Sequence, residues 1–119
     1  MTDETREVRA GEELEPAALD AFFRMAVGGE PIEPPVVRQF PGGFSNLTYL
    51  VRWDGREFVL RRPPRGAVRG TAHDMVREFR VLQALHAAGV KVPRPLSLCE
   101  DPSLLGAPFY VMERVKGII

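Results

Sequence analysis

Asp54-Gly55 stands between two apolar-rich runs that read as strands, Leu47–Trp53 and Glu57–Arg62, and it constrains the fold more than any other feature of the chain. A two-residue hairpin turn needs positive φ at both central positions, which Asp and Gly tolerate. Such a turn also locks its two strands into one register. Pro63-Pro64 ends the second of these strands, because proline cannot donate to a sheet ladder. Val36–Phe40 reads as an earlier strand, separated from the hairpin by the loop Pro41-Gly42-Gly43-Phe44-Ser45-Asn46.

Two helices flank these strands. Pro16 to about Val27 is predicted helical, with Leu19, Phe22, Phe23 and Ala26 at helical spacing and Gly28-Gly29 as its end. The residues before it read as a frayed start, and residues 30–35 as an extended connector. The longest helical pattern runs from Thr71 to about Ala88, stopped by Gly89 and Pro93. Val92–Leu98 reads as a turn feeding a strand, and Pro108–Val115 as a final apolar strand. The predicted class is α+β: a five-stranded antiparallel sheet with one long packed helix and a short N-terminal helix. A length of 119 residues fits one domain.

Charge narrows the functional classes. The 16 Lys+Arg and 16 Asp+Glu cancel, which argues against a general nucleic-acid binder. The cancellation hides an asymmetry: residues 1–33 hold nine acids and three bases, whereas residues 56–80 hold seven bases and three acids. An anionic ligand is the natural candidate for the basic segment, which contains Arg61, Arg62, Arg65, Arg69, Arg77 and Arg80. Cys99 is the single cysteine, so no intrachain disulfide forms, and it reads as a small packing residue. No apolar run approaches the ~18 residues of a membrane span, and the expected location is cytoplasmic.

Glu78 is the most informative polar residue. With 100° per residue, Met75, Val81, Leu82 and Leu85 fall within about 60° of it, so it is expected inside the apolar stripe of its helix. A carboxylate there needs a cation or a wet cleft; the alternatives are a side chain that reaches a rim or pairs for stability alone. Alternation along the third strand puts Val59 and Arg61 on one face and Phe58, Leu60 and Arg62 on the other. Arg61 is thus the expected partner of Glu78, with donors suited to phosphate. Arg62 is expected at the surface or rim. The loop 42–46 alone is either an ordinary turn or a backbone cradle for an anion.

These motifs in this order, followed by Val92-Pro93-Arg94-Pro95 and Phe109-Tyr110-Val111-Met112-Glu113-Arg114-Val115, resemble the aminoglycoside phosphotransferase-like kinases. The nearest likeness is to the branch related to kinase-like domains fused to acyl-CoA dehydrogenases, where Gly-Gly-x-Ser-Asn-x-Thr-Tyr, Leu-Arg-Arg-Pro-Pro and Val-Met-Glu-Arg recur. The resemblance implies a kinase-like, ATP-binding N-terminal lobe over residues 34–119, ending at the hinge, behind an acidic extension of residues 1–33. Gly42, Gly43, Phe44, Ser45 and Asn46 would cover the ATP phosphates. Arg61 would stand where the family's strand lysine contacts phosphate and pairs with the helix glutamate, here Glu78. Val59 would form part of the adenine ceiling and Met112 the back of its pocket. The Glu113 carbonyl and Val115 N–H would bond the base.

The family's transfer chemistry also needs a His-x-Asp catalytic loop, an Asn beyond it and a Mg²⁺-binding Asp. His73 is followed directly by Asp74, and His86 by Ala87-Ala88, so neither fits. His73 reads as a surface residue at the helix start and His86 as a partly buried helix residue. The expectation is therefore a nucleotide-binding lobe of a small-molecule phosphotransferase that does not catalyse alone, with Mg²⁺ held by a separate lobe. The expected partners are nucleotide, and a catalytic lobe or a second copy at the inter-lobe face. A non-catalytic interaction domain on the same scaffold is the second reading, and an unrelated α+β binding protein the third.

Overall fold

The computed structural model describes residues 5–41, 47–64 and 71–115, and the side chains of residues 71–73 lie outside that description. Five strands form one antiparallel sheet: β1 (Val36–Gln39), β2 (Leu47–Trp53), β3 (Arg56–Arg62), β4 (Pro95–Cys99) and β5 (Phe109–Glu113), in the spatial order β1-β2-β3-β5-β4. Asp54 and Gly55 have φ of 53° and 71°, so the β2–β3 turn is the tight hairpin its sequence predicts. Register follows from it: Trp53 faces Arg56, Leu50 faces Val59 and Leu47 faces Arg62. β3 is thereby the central strand, with β5 on its other side pairing Val59 with Met112 and Arg61 with Tyr110.

Helices cover both faces of this sheet, not only the one expected beneath the long helix. The short helix α1 (Pro16–Ala26) starts at Glu15, whose carboxylate accepts the Ala18 N–H at 2.7 Å. It lays Leu19, Phe22 and Phe23 on the face carrying Trp53, Phe58, Leu60 and Phe109. The rings meet at centroid distances of 4.8 Å for Phe22–Phe109 and 4.9 Å for Phe23–Phe58. Gly29 (φ 151°) lets the chain leave α1 against the hairpin, since a Cβ there would come within 2.6 Å of Asp54 Oδ2 and 3.0 Å of the Trp53 ring. The second helix α2 (Thr71–Ala87) packs on the other face, beside β4 and β5, and adds Met75 and Phe79 to a cluster with Leu50, Val59, Tyr110 and Met112.

Two expectations need correction. The described residues ahead of α1, 5–15, are not a frayed start: Arg6 and Gln39 exchange backbone hydrogen bonds at 2.8 Å, which adds a bridge to the open edge of β1. Buried Gln39 takes the Arg9 N–H at 2.9 Å and donates to Glu12 Oε1 at 2.7 Å. That donation is the main reason the Glu12 carboxyl is held below the usual carboxylate range. The segment lacks helical or strand periodicity because it pairs by one bridge and by side chains.

Arg62 is the second correction. It is 0% exposed, although alternation alone suggested a rim position. Its guanidinium donates to Leu105 O at 2.9 Å, to Glu12 O at 3.2 Å and to the Tyr49 hydroxyl at 3.0–3.1 Å, while Tyr49 Oη donates to Glu12 O at 2.6 Å. Removing the donors strands buried acceptors, so Arg62→Ala is expected to cost about 3 kcal/mol of unfolding free energy in urea titrations. Arg62→Lys should recover only part, because an ammonium cannot reproduce the planar fork.

Candidate functional site

The face beneath α2 carries the candidate site, and the local register decides which residues meet there. Arg61 and Val59 project from β3, Tyr110 and Met112 from β5, and Glu78 from α2. Arg61 Nη1 lies 2.8 Å from Glu78 Oε1, with both side chains about 30% exposed: 30% for Arg61 and 29% for Glu78. Tyr110 Oη donates to the same Glu78 oxygen at 2.5 Å. Arg61 and Tyr110 are direct cross-strand partners, so one carboxylate oxygen is shared by neighbouring residues of β3 and β5. Half-exposed ion pairs add little to stability, ~1 kcal/mol at most. What this pair does is hold a guanidinium at the edge of an apolar face.

Glu78 sits on the shoulder of the helix stripe rather than at its centre. The buried residues are Met75 and Phe79, with Leu82 packed against them, whereas Val81 and Leu85 are 50% and 36% exposed. A helical wheel fixes relative angles but not which angle meets the sheet. His86 is exposed, where a partly buried position was expected.

Val59 and Met112 are cross-strand partners, 4% and 6% exposed. The Glu113 N–H is taken by Arg94 O at 2.9 Å, which ties the end of β5 to the turn before β4. Val115 is half-buried just beyond it. Gly42, Gly43, Phe44, Ser45 and Asn46, the expected phosphate loop, lie outside the described residues. Arg61, Glu78, Val59 and Met112 are brought to one face; Arg62 is on the other.

Sequence reasoning missed Tyr110. The signal was available, since alternation along β5 places it on the face of Met112. Among the described residues no group of His, Cys, Asp and Glu could hold a metal ion. An open groove of about 590 Å³ lies at the hairpin end of the sheet, lined by Ile32, Val36, Trp53 and Asp54. It is remote from Arg61, which lies six residues beyond Gly55 near the far end of β3. No helix among the described residues is long and apolar enough to cross a membrane.

Residues 36–119 match the model of the phosphotransferase enzyme family. The chain is 44% identical over 115 residues to acyl-CoA dehydrogenase family member 10 of Mus musculus, covering 97% of this chain and 11% of that protein. It is 38% identical over 118 residues to acyl-CoA dehydrogenase family member 11 of Gallus gallus, covering 97% of this chain and 15% of that one. Among solved structures, a Ralstonia eutropha JMP134 protein assigned to the aminoglycoside phosphotransferases superposes with a TM-score of 0.67 at 37% identity. That match covers 88% of this chain and 29% of the other. The chain thus spans only a small part of each of these proteins.

Burial, and then donation to Glu78, push the Tyr110 phenol well above its ordinary value of 10.0. The protonated form is the one the fold favours, so this contribution to stability is complete below pH ~10 and is lost as pH rises toward the folded-state value. Tyr110→Phe should cost about 1.5 kcal/mol at neutral pH and flatten the alkaline fall in stability. Urea midpoints measured from pH 8 to 11.5 check this; equal slopes in both proteins would refute it.

Proposed function

This chain belongs to the phosphotransferase enzyme family, and on that footing we propose that it is the nucleotide-binding lobe of an ATP-dependent small-molecule phosphotransferase. The observation that carries the reading is the Arg61–Glu78 pair at 2.8 Å, on the face that also presents Val59 and Met112. A strand cation steadied by a helix glutamate is the arrangement kinases use to hold the α/β-phosphates of ATP.

The residues present suit such a ligand. Val59 and Arg61 are two residues apart on one face, a separation of about 7 Å along the strand. That is the order of the span from a purine ring across a ribose to its first phosphate. Val59 and Met112 offer apolar contact for a flat base, and Arg61 offers N–H donors to phosphate oxygen. Glu78 and Tyr110 share the work of orientation, because Arg61 and Tyr110 meet at Glu78 Oε1 and the Tyr110 bond restricts where that carboxylate can hold the guanidinium. The loop 42–46 and the backbone of Glu113 and Val115 complete the proposed contacts. ATP would supply the γ-phosphoryl group, passed to a hydroxyl acceptor by the whole enzyme. These 119 residues contain no His-x-Asp catalytic loop, so the lobe's part is to bind and position nucleotide, in a cytoplasmic setting.

A second reading, an interaction domain on the same scaffold, is favoured by one feature. Val81, Leu85 and Val90 expose apolar surface along and just beyond the C-terminal half of α2, where residues 83–90 are all exposed. A catalytic lobe or a second copy would cover this surface. Sedimentation separates the two: a concentration-independent monomer argues against self-association.

The nucleotide reading predicts that Arg61→Ala weakens ATP binding about tenfold or more in calorimetry, while adenosine binding changes little. Glu78→Gln should weaken ATP by a smaller factor. Unchanged ATP affinity in folded Arg61→Ala would sink the proposal.

A further inference from the structure

Arg114 and Phe40 meet beneath the sheet although they come from strands that are not neighbours. Phe40 follows β1, its N–H bonded to Thr48 O at 2.9 Å, and Arg114 follows β5. The strands β2 and β3 lie between them in the sheet. Even so, the Arg114 guanidinium lies 5.8 Å from the Phe40 ring centroid, and its Nη1 is 3.4 Å from Glu57 Oε1. Arg52 Nε holds the other Glu57 oxygen at 2.9 Å. A contact joining β1 to β5 has to pass under the intervening strands, and the Glu57 bond places the Arg114 guanidinium against the start of β3.

The two side chains are enclosed there, Phe40 at 5% exposure and the Arg114 side chain at 12%. Phe40 belongs to the same apolar cluster as Val59 and Met112. Val59 and Met112 are 4% and 6% exposed, so a base reaches them only if a neighbouring side chain of this cluster moves, and Phe40 is the member held by a cation–π contact to Arg114.

We propose that Arg114 and Phe40 form a latch that closes the base-binding end of the site until nucleotide displaces it. The inference rests on the nucleotide-lobe reading and adds the residues that control entry. The latch is built to give way. It is held by a cation–π contact and one long ion pair, both modest in strength. Its closed position also leaves Arg114 Nε buried without a hydrogen-bond partner among the described residues. Glu57 sets the weight of the closed state, since Arg52 fixes the carboxylate on which Arg114 rests.

A latch that leaves the open form at about one part in ten lowers apparent affinity about tenfold, and removing it restores that factor. Calorimetric titration of ATP with Mg²⁺ into the full chain tests this, with circular dichroism confirming the fold of each variant. Arg114→Ala is expected to bind about tenfold more tightly than the native protein, and Glu57→Gln severalfold more tightly. The double variant should gain no more than Arg114→Ala alone, because both changes release one contact. Glu57→Gln keeps the test open if Arg114→Ala misfolds. Folded variants that bind ATP equally or more weakly overturn the latch; weaker binding would make Arg114 a direct ligand contact. A failed latch with a sound nucleotide site appears as native ATP binding that Arg61→Ala weakens and Arg114→Ala does not tighten. ATP binding by no variant overturns the latch and the nucleotide reading together.

Discussion

The register of β3 is the constraint on which everything else depends. Arg61 and Arg62 are adjacent, so they point to opposite faces of the central strand. One joins Glu78 at the site; the other is sealed among Tyr49, Glu12 and Leu105. A slip of one residue would exchange them, placing the fully buried arginine on the face of α2 and the partner of Glu78 in the core beneath α1. The Asp54-Gly55 turn prevents the slip, because a two-residue loop with positive φ at both positions admits one pairing. The turn therefore specifies chemistry more than 15 Å away along the strand, by geometry alone.

The same register divides labour between the faces. Beneath α1 the interlocked rings of Phe22, Phe23, Trp53, Phe58 and Phe109 bury apolar area continuously. The Trp53 indole donates to Asp20 at 2.9 Å, and this bond, followed by that of Arg24, holds the Asp20 carboxyl below its ordinary range. Beneath α2 the cluster is smaller, and its polar groups, Arg61 and Glu78, stay partly wet. The first face secures the fold, which allows the second to keep a charge pair whose value to stability is slight.

What the sequence made legible follows from how local each signal is. The hairpin, both helices and the Arg61–Glu78 pairing rest on periods of two and 3.6 residues within single elements, and each is found in place. The fate of Arg62 was not legible, because alternation names a face without saying what covers it. The covering groups come from residues 12, 49 and 105, brought together only by the complete fold. The N-terminal segment was hidden for a related reason: an isolated bridge to a strand edge leaves no repeating pattern. Tyr110 was readable from β5 alternation, yet an aromatic in an apolar strand gives no hint that its hydroxyl meets a carboxylate.

The N-terminal segment also bears on how the site is held. Gln39, the last residue of β1, is fixed by the Arg6 bridge, the Arg9 N–H and Glu12, and Glu12 in turn accepts from Arg62 and Tyr49. Phe40 follows Gln39 directly. The end of β1 is thus braced from the α1 face, through buried hydrogen bonds, while the side chain of Phe40 reaches the α2 face. Bracing of this kind opposes movement of the β1 backbone, and the Phe40 side chain is buried in the α2-face cluster. Bracing from the α1 face thereby supports the strand register that aims Arg61 at Glu78 on the other face.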